Sequence, residues 1–454
     1  MKILILNYEY PPLGGGAATA TENILRQFAE QEDLEVDLVT SSAGKARTEQ
    51  LAPNIRIHFL DIGKQGDLHN QSQKDLLVYS WKAFWKSRRL LSEQHYDVTH
   101  AFFGIPCGFL ALMLNVFAPK TQGLEGATES GFGSESQSPQ PSAFAQKIQR
   151  DKLLRKGASR RHKIPFVVSL RGSDVPFYSE KYYWLDRLFF SWLSRIIWQK
   201  AAAVIANSED LKKLALKNSP KQKIGVIYNG VDCERFKALE GDSDEVKSSL
   251  QQKNDHSQSF QKREAGGGFT VVSTSRIIAR KGMDCLVRAA ISLARQYPNF
   301  KLLLAGGGDQ LKDELIQLVK EERLEEQIQF VGNIERDKIA DFYRRGDVFA
   351  LPSLNEGMSN SLLEAMASGL AVVATKTGGT AELVDESSGL IVKKKSAQSI
   401  QIALEKLYQN REKLATMKSK SRQKAEQMSW KKVAEEYQGL YKKVNSSTKR
   451  LPKR

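Results

Sequence analysis

A chain of 454 residues, 41% of them hydrophobic, is long for one core and sufficient for two. It contains no apolar run of about 18 residues, which excludes a transmembrane helix, and Cys107, Cys233 and Cys285 stand too far apart for a disulfide framework or a metal knuckle. The net charge of +16 is carried by two segments: Lys393 to Arg454 holds 18 basic and 5 acidic residues, Lys147 to Lys163 holds 8 and 1, and the remainder sums to −4. Such segments suit anionic lipid or nucleic acid, or are simply solvated.

Short apolar runs alternate with longer helical patterns, the signature of βαβ units and parallel sheets. The start, Met1 to Leu6, is too short for a signal peptide and reads as a buried strand over Ile3–Asn7. Further strands are expected at Val36–Thr40, Ile55–Leu60, Val98–Phe102, Phe166–Leu170, Val204–Ala206 and Ile224–Tyr228. A second set follows at Phe269–Ser273, Lys301–Ala305, Ile328–Val331, Val348–Leu351, Ala371–Ala374 and Gly389–Val392. Two such sets predict an α/β chain of two doubly wound domains.

After the first strand, Pro11-Pro12-Leu13-Gly14-Gly15-Gly16-Ala17 offers glycines that let backbone approach a phosphate or sugar. It is a poor dinucleotide fingerprint, because the third glycine position is Thr19 and no acidic residue clearly ends the second strand. His100 ends a later strand and reads as structural, with a place in the cleft as the alternative. The stretch 121–163 is rich in Gly, Ser, Gln and Pro and then in basic residues, and is expected to be a loop insert. From Tyr182 to Trp198 the chain is unusually aromatic. Helical spacing makes most of that run a core face, with contact to a lipid-linked acceptor or a bilayer surface as the alternative.

Residues 237–268 are polar, end in Gly266-Gly267-Gly268, and read as a linker with a disordered insert. Asp242-Ser243-Asp244 matches a metal-binding Asp-x-Asp in form only, since it falls in this linker; no metal site is expected. Next comes Ser275-Arg276-Ile277-Ile278-Ala279-Arg280-Lys281-Gly282, at the carboxyl end of a strand where open α/β sheets bind ligands. Two fixed cations, Arg276 and Lys281, suit a departing nucleoside diphosphate without a metal.

The strongest signal runs from Glu356 through Gly357, Met358, Ser359, Asn360 and Ser361 to Glu364, and ends at Gly369. Ser359 or Ser361 can cap the helix and Gly369 can end it. The open helix end suits a phosphate, Glu364 lies one turn inside with reach to ribose hydroxyls, and Glu356 can face a sugar. At the end of the chain, Trp430, Val433, Ala434, Tyr437, Leu440, Tyr441 and Val444 repeat with helical spacing, and the tail from Asn445 is expected to fray.

Together the glycine turn, the Arg276–Lys281 loop and the Glu356–Glu364 segment resemble the retaining glycosyltransferase family 4, the glycosyl transferases group 1, which has the two-domain Rossmann-like GT-B fold. Gly378-Gly379-Thr380-Ala381-Glu382-Leu383 and Asn229-Gly230-Val231-Asp232 extend the likeness. The resemblance implies a nucleotide-sugar donor, UDP- or GDP-linked, as substrate with no further cofactor. It places Glu364 on ribose, Arg276 and Lys281 on the diphosphate, Glu356 on the transferred sugar, Gly15 and Gly16 opposite the donor, and the backbone near Asn333 and Ile334 at the base. It implies domains over 1–236 and 269–425, the second binding the donor, with residues 426–454 forming a helix that crosses back to the first and a basic tail. Where the family often has His-Gly-x-Asp, this chain has Arg171-Gly172-Ser173-Asp174. Arginine is no general base at neutral pH, so Arg171 is expected to bind a phosphate or carboxylate in the sugar and acceptor cleft with Asp174 and His100.

The resulting expectation is a cytoplasmic, metal-independent transferase acting on a saccharide or lipid-linked acceptor in surface polysaccharide or glycoconjugate synthesis. It has no nucleic-acid partner and makes peripheral contact with the anionic inner face of the plasma membrane. Two readings compete: a non-enzymatic binder of anionic membrane or polymer through the basic segments, and a nucleotide-sugar epimerase on the same fold. A phosphorylase would need a cofactor lysine site that the sequence does not offer.

Overall fold

The computed structural model describes residues 1–64, 71–117, 163–178, 189–238 and 268–449. The 121–163 insert save Lys163, the Asp242-Ser243-Asp244 motif, the first part of the aromatic run and the last five residues lie outside them.

Alternating apolar runs pack into two sheets. The first has the order β3-β4-β2-β1-β5-β6-β7-β8. Its strands are β1 (Lys2–Leu6), β2 (Glu35–Ser42), β3 (Arg47–Ala52), β4 (Ile55–Asp61), β5 (Val98–Phe102), β6 (Phe166–Leu170), β7 (Ala203–Ala206) and β8 (Ile224–Val226). All pairs are parallel except β3 with β4. The second sheet, order β11-β10-β9-β12-β13-β14, is wholly parallel. Its strands are β9 (Phe269–Thr274), β10 (Phe300–Ala305), β11 (Ile328–Gly332), β12 (Val348–Leu351), β13 (Ala371–Thr375) and β14 (Gly389–Val392). These are two doubly wound units with the strand bounds anticipated to within two residues. The exception is β3, which the sequence reading missed: its Arg-Thr-Glu-Gln-Leu-Ala is exposed on an edge and carries no buried alternation.

Helices cover both faces. In the first unit these are α1 (Gly16–Ala29), α2 (Gln73–Glu93), α3 (Phe109–Val116), α4 (Ser191–Lys200) and α5 (Glu209–Asn218). In the second they are α6 (Met283–Gln296), α7 (Gln310–Glu321), α8 (Ile339–Arg344), α9 (Asn360–Ala367), α10 (Thr380–Leu383), α11 (Ala397–Gln409) and α12 (Arg411–Glu426). The last helix, α13 (Trp430–Lys449), belongs by packing to the first unit: Trp430, Val433, Ala434, Tyr437, Tyr441 and Val444 join its core.

The chain passes between units twice, at one place. Ile227 still packs in the first core, whereas Val231 and Phe236 already pack in the second, so the passage falls near Asn229 and Gly230. The return strand lies alongside: Val231 N–H donates to Met428 O at 2.7 Å, and a Cβ on Gly230 would come within 2.6 Å of Trp430 N. Arg422 of α12 donates to the carbonyls of Cys233, Phe236 and Ala367, tying the outgoing chain to α9's end.

Beneath α13, His100 is fully buried. Its Nδ1 pairs with Tyr441 Oη at 2.6 Å and its Nε2 with Ser169 Oγ at 2.7 Å, while Tyr437 Oη reaches Ser169 Oγ at 3.1 Å. Burial, with Arg171 as a lesser cause, holds the imidazole well below its ordinary range. The unfolded chain therefore takes that proton first, and the contribution of His100 to stability is present above about pH 6.5 and lost as pH falls below it. Urea denaturation at pH 7 and pH 5 should show this loss, and His100→Gln should shrink it. Tyr441→Phe leaves a buried ring nitrogen without its partner and is expected to cost about 1–3 kcal/mol by the same measurement.

Candidate active site

In the second sheet the strand order reverses between β9 and β12, so the loops leaving these two strands part and open a crevice at their carboxyl ends. Residues Ser275 to Gly282 form the first loop and Pro352 to Ser359 the second. The first is stitched to its other neighbour, the Gly306-Gly307-Gly308 turn after β10, through Ser275 N–H to Ala305 O at 3.0 Å and Ile277 N–H to Gly307 O at 2.8 Å. Gly306, at φ +139°, lies against Ser275 O, and Gly282, at φ +68°, lies against Pro352 O; a Cβ on either would overlap that carbonyl. Arg280 clamps the two loops by accepting from Leu354 N–H at 2.9 Å and donating to Asn355 O at 3.0 Å.

Across this crevice the Lys281 ammonium pairs with Glu356 Oε1, which also accepts from Ser353 Oγ at 2.7 Å. The two side chains are only 15% and 10% exposed. Ion pairs at that burial recover little more than their desolvation cost, so stability alone does not account for this one. Glu356 is held from behind by Gly378, which at φ +49° sits against the Glu356 and Gly357 carbonyls, and by Gly379 N–H, which donates to Gly357 O at 2.6 Å.

Ser359 caps α9 by accepting from Leu362 N–H at 3.3 Å, and Ser361 Oγ lies 3.0 Å from Ser359 Oγ. Glu364, one turn inside, accepts from Tyr343 Oη at 3.1 Å, and Tyr343 Oη bonds Thr274 Oγ1 at 2.7 Å, which ties Glu364 to the end of β9. Burial raises the Glu364 carboxyl, offset in part by the Tyr343 hydrogen bond and the Arg336 charge. Asn333 and Ile334 follow β11. Asn333 borders the glycine turn, its Oδ1 3.3 Å from where a Gly307 Cβ would be, and Arg336 pairs with Glu22 of α1 across the cleft.

The first unit meets this site through its β1–α1 turn and its β6 loop. Asn360 Nδ2 donates to Gly16 O at 3.0 Å, while the space where a Gly15 Cβ would stand is open to 4 Å. Asn229 Nδ2 donates to Asn360 Oδ1 at 2.7 Å, and Arg171 Nη1 donates to Asn229 Oδ1 at 2.8 Å. Gly357 lies close under the Arg171 carbonyl, and Met358 is buried with its carbonyl 3.4 Å from Asn229 Nδ2.

Of the residues expected in a sugar and acceptor cleft, Arg171 and Asp174 are held by protein groups beside the site and His100 lies away from it. The Arg171 guanidinium lies over the Phe102 ring, 4.5 Å from its centroid, and reaches Tyr437 Oη at 3.4 Å as well as Asn229, so it braces the crossing between units. Asp174 clamps its own loop, accepting from Gly104, Arg171 and Gly172 N–H at 2.7, 2.9 and 3.0 Å. His100 is not a cleft residue at all, because α13 covers the face of the sheet on which it stands.

Sequence reasoning missed Glu9. Its carboxylate folds over Gly14, accepts from Gly15 N–H at 3.1 Å, and so fills the mouth of α1. Burial raises its pKa, against the opposing fields of Arg276 and Arg171. Tyr343 and Arg336 were also missed, for they carry no spacing signal. The triple glycine after β10 was legible, since it repeats the pattern after β1. Among the described residues no group of three or more His, Cys, Asp or Glu could hold a metal ion.

The model of glycosyl transferases group 1 matches residues 254–424, and that of glycosyltransferase family 4 matches residues 152–235. An uncharacterized glycosyltransferase of Methanocaldococcus jannaschii is 26% identical over 298 residues, 63% of this chain and 72% of the relative. A GDP-mannose-dependent alpha-(1-6)-phosphatidylinositol monomannoside mannosyltransferase of Mycobacterium tuberculosis is 28% identical over 212 residues, 45% of this chain and 51% of its own length. Among solved structures, sucrose-phosphate synthase from Thermosynechococcus elongatus superposes with a TM-score of 0.72 at 18% identity, covering 98% of this chain and 99% of that one. HepE of Anabaena in complex with UDP gives 0.63 at 19%, covering 98% and 100%. These matches do not favour a non-enzymatic binder or an epimerase.

Asn229→Ala cuts the chain of hydrogen bonds from Arg171 to Gly16 at its centre. Small-angle scattering of the variant should show a larger radius of gyration than the parent; an unchanged curve would mean that the remaining contacts, among them Glu22–Arg336, Gly378–Asp210 and Glu382 with Glu209, Asp210 and Tyr228, hold the units together.

Proposed function

We propose that this chain, which belongs to the glycosyltransferase family 4 enzymes with the group 1 domain and GT-B fold, moves a sugar from a UDP- or GDP-linked donor to a saccharide or lipid-linked acceptor with retention of configuration. The observation that carries the reading is the Lys281–Glu356 pair at the switch point, one loop away from the capped helix that presents Glu364.

In this reading the nucleotide lies along the second unit. The base meets the backbone at Asn333 and Ile334, and Glu364, oriented by Tyr343, accepts from the ribose hydroxyls. The diphosphate takes the Arg276 guanidinium and the Lys281 ammonium, with Gly15 and Gly16 facing it from the other unit. The mouth of the α9 helix, Gly357 to Ser361, supplies backbone N–H donors. The diphosphate competes with Glu356 for Lys281, and the carboxylate so freed accepts from the sugar hydroxyls. As the bond from the anomeric carbon to the diphosphate oxygen breaks, charge grows on that oxygen, where the two cations stabilise it. The acceptor hydroxyl attacks on the same face and gives its proton to the departing phosphate. Domains over 1–236 and 269–425, with the acceptor on the first, fit this arrangement. So does work at the cytoplasmic face of a membrane in surface polysaccharide or glycoconjugate synthesis, with peripheral contact there.

Three outcomes test it. A thermal-shift screen of nucleotide-sugars should single out a donor by mass action, with a rise of about 3 kcal/mol in stability at a hundredfold excess over Kd. NMR of the product should show the donor's anomeric configuration, and an inverted product would contradict the reading. Lys281→Ala should lower kcat about a hundredfold or more with donor binding largely kept, whereas Glu364→Ala should mainly weaken donor binding; wild-type kinetics in both would mean the site is elsewhere.

A further inference from the structure

The helix α2 is apolar on two opposite sides. One side, Asp75, Tyr79, Ala83, Ser87, Leu90 and Leu91, is buried against the first sheet. The other carries Leu77, Trp81 and Trp85 at i, i+4 and i+8, exposed to 71%, 68% and 50%. Packing does not account for this second stripe, since two indoles and a leucine in water forfeit the gain that burial of such side chains brings.

The stripe is part of a wider surface. The Trp81 and Trp85 rings meet edge to face at 5.8 Å, Phe84 meets Trp85 at 5.5 Å, and Phe84 also meets Phe117, half exposed past the end of α3. The helix α3 contacts both α2 and α4, and Phe189, just before α4, and Trp192, within it, are both more than half exposed with ring centroids 6.5 Å apart.

Charge decides what covers it. Lys74 and Arg88 stand at the two ends of the Leu77–Trp81–Trp85 stripe by helical spacing, with the Arg88 guanidinium 5.8 Å from the Trp85 ring centroid. Lys82 is exposed beside them. The two acids of the helix are withdrawn: Asp75 is buried in its capping box with Lys64, and Glu93 is paired with Arg89. Indoles framed by cations, with no free acid among them, suit the boundary between headgroups and acyl chains of an anionic bilayer. A self-complementary protein contact would set these cations against their own copies.

We propose that the α2 face, centred on Leu77, Trp81 and Trp85 and extended by Phe117, Phe189 and Trp192, docks the first unit onto an anionic lipid surface. This gives a location to the peripheral contact suggested above, on a face distinct from the basic segments. Gln71, at the start of α2, donates through Nε2 to Tyr8 O at 3.1 Å, so the docked face is tied to the turn that borders the cleft.

The test uses the full chain and sedimentation with vesicles of equal phosphatidylglycerol and phosphatidylcholine, against vesicles of phosphatidylcholine alone. The wild type should partition to the anionic vesicles with a blue shift of its tryptophan emission. Trp81→Ser with Trp85→Ser should weaken partitioning by about tenfold or more, and Lys74→Gln with Arg88→Gln should weaken it at low salt but little at high salt. Both pairs should keep the parent's unfolding temperature and its donor-induced thermal shift, a readout that needs no lipid and separates failure here from failure of the transfer reading. Partitioning unchanged by the tryptophan pair would overturn the proposal in favour of the basic segments. A wild-type dimer that the tryptophan pair dissolves, without vesicle binding, would overturn it in favour of a second copy.

Discussion

Parallel strands whose order reverses beside the central strand must send two neighbouring loops apart, and everything chemical in this protein depends on that gap. In the second sheet the reversal lies at β9 and β12, and their two loops bring Arg276, Lys281, Glu356 and the mouth of α9 to one crevice. The first sheet reverses at β1 and β5, and the glycine turn with Glu9 stands on its gap. A two-domain transferase is in physical terms two such gaps turned toward each other, held by a double crossing of the chain near Gly230 and Trp430.

Part of the charge at the crevice is paired within the protein. Lys281 already holds a carboxylate, and Glu9 already fills the mouth of α1. In the proposed reaction an anionic donor would exchange partners with these residues. Such an exchange would limit the desolvation cost on arrival and leave each freed carboxylate a substrate hydroxyl to accept from. Arg171 shows the opposite case. This cation stacks on Phe102 and donates to Asn229 and Tyr437, and it braces the crossing between the units.

The apolar stripe on α2 adds a geometric constraint. Its helix begins beside the cleft turn, tied to it through Gln71 and Tyr8, so the proposed docking face and the cleft share one end of the first unit.

From the sequence alone came the parallel-sheet architecture, thirteen of the fourteen strands among the described residues, a serine cap at Ser359 or Ser361 and the loops that meet at the crevice. These are local matters: period-two and period-3.6 patterns, glycines at turns and a serine before a helix act over a few residues, and their signals lie side by side in the chain. The tertiary structure alone decided that His100 is sealed under a helix more than 300 positions away, that Arg171 braces the crossing, that Glu9 closes the first turn, and that the tryptophans of α2 face outward. The edge strand β3 belongs with these, because its exposed residues carry no pattern of their own and take form only from pairing with β4. Each of these outcomes depends on which surface another element covers, and a side chain's spacing in sequence holds no record of what will lie across from it.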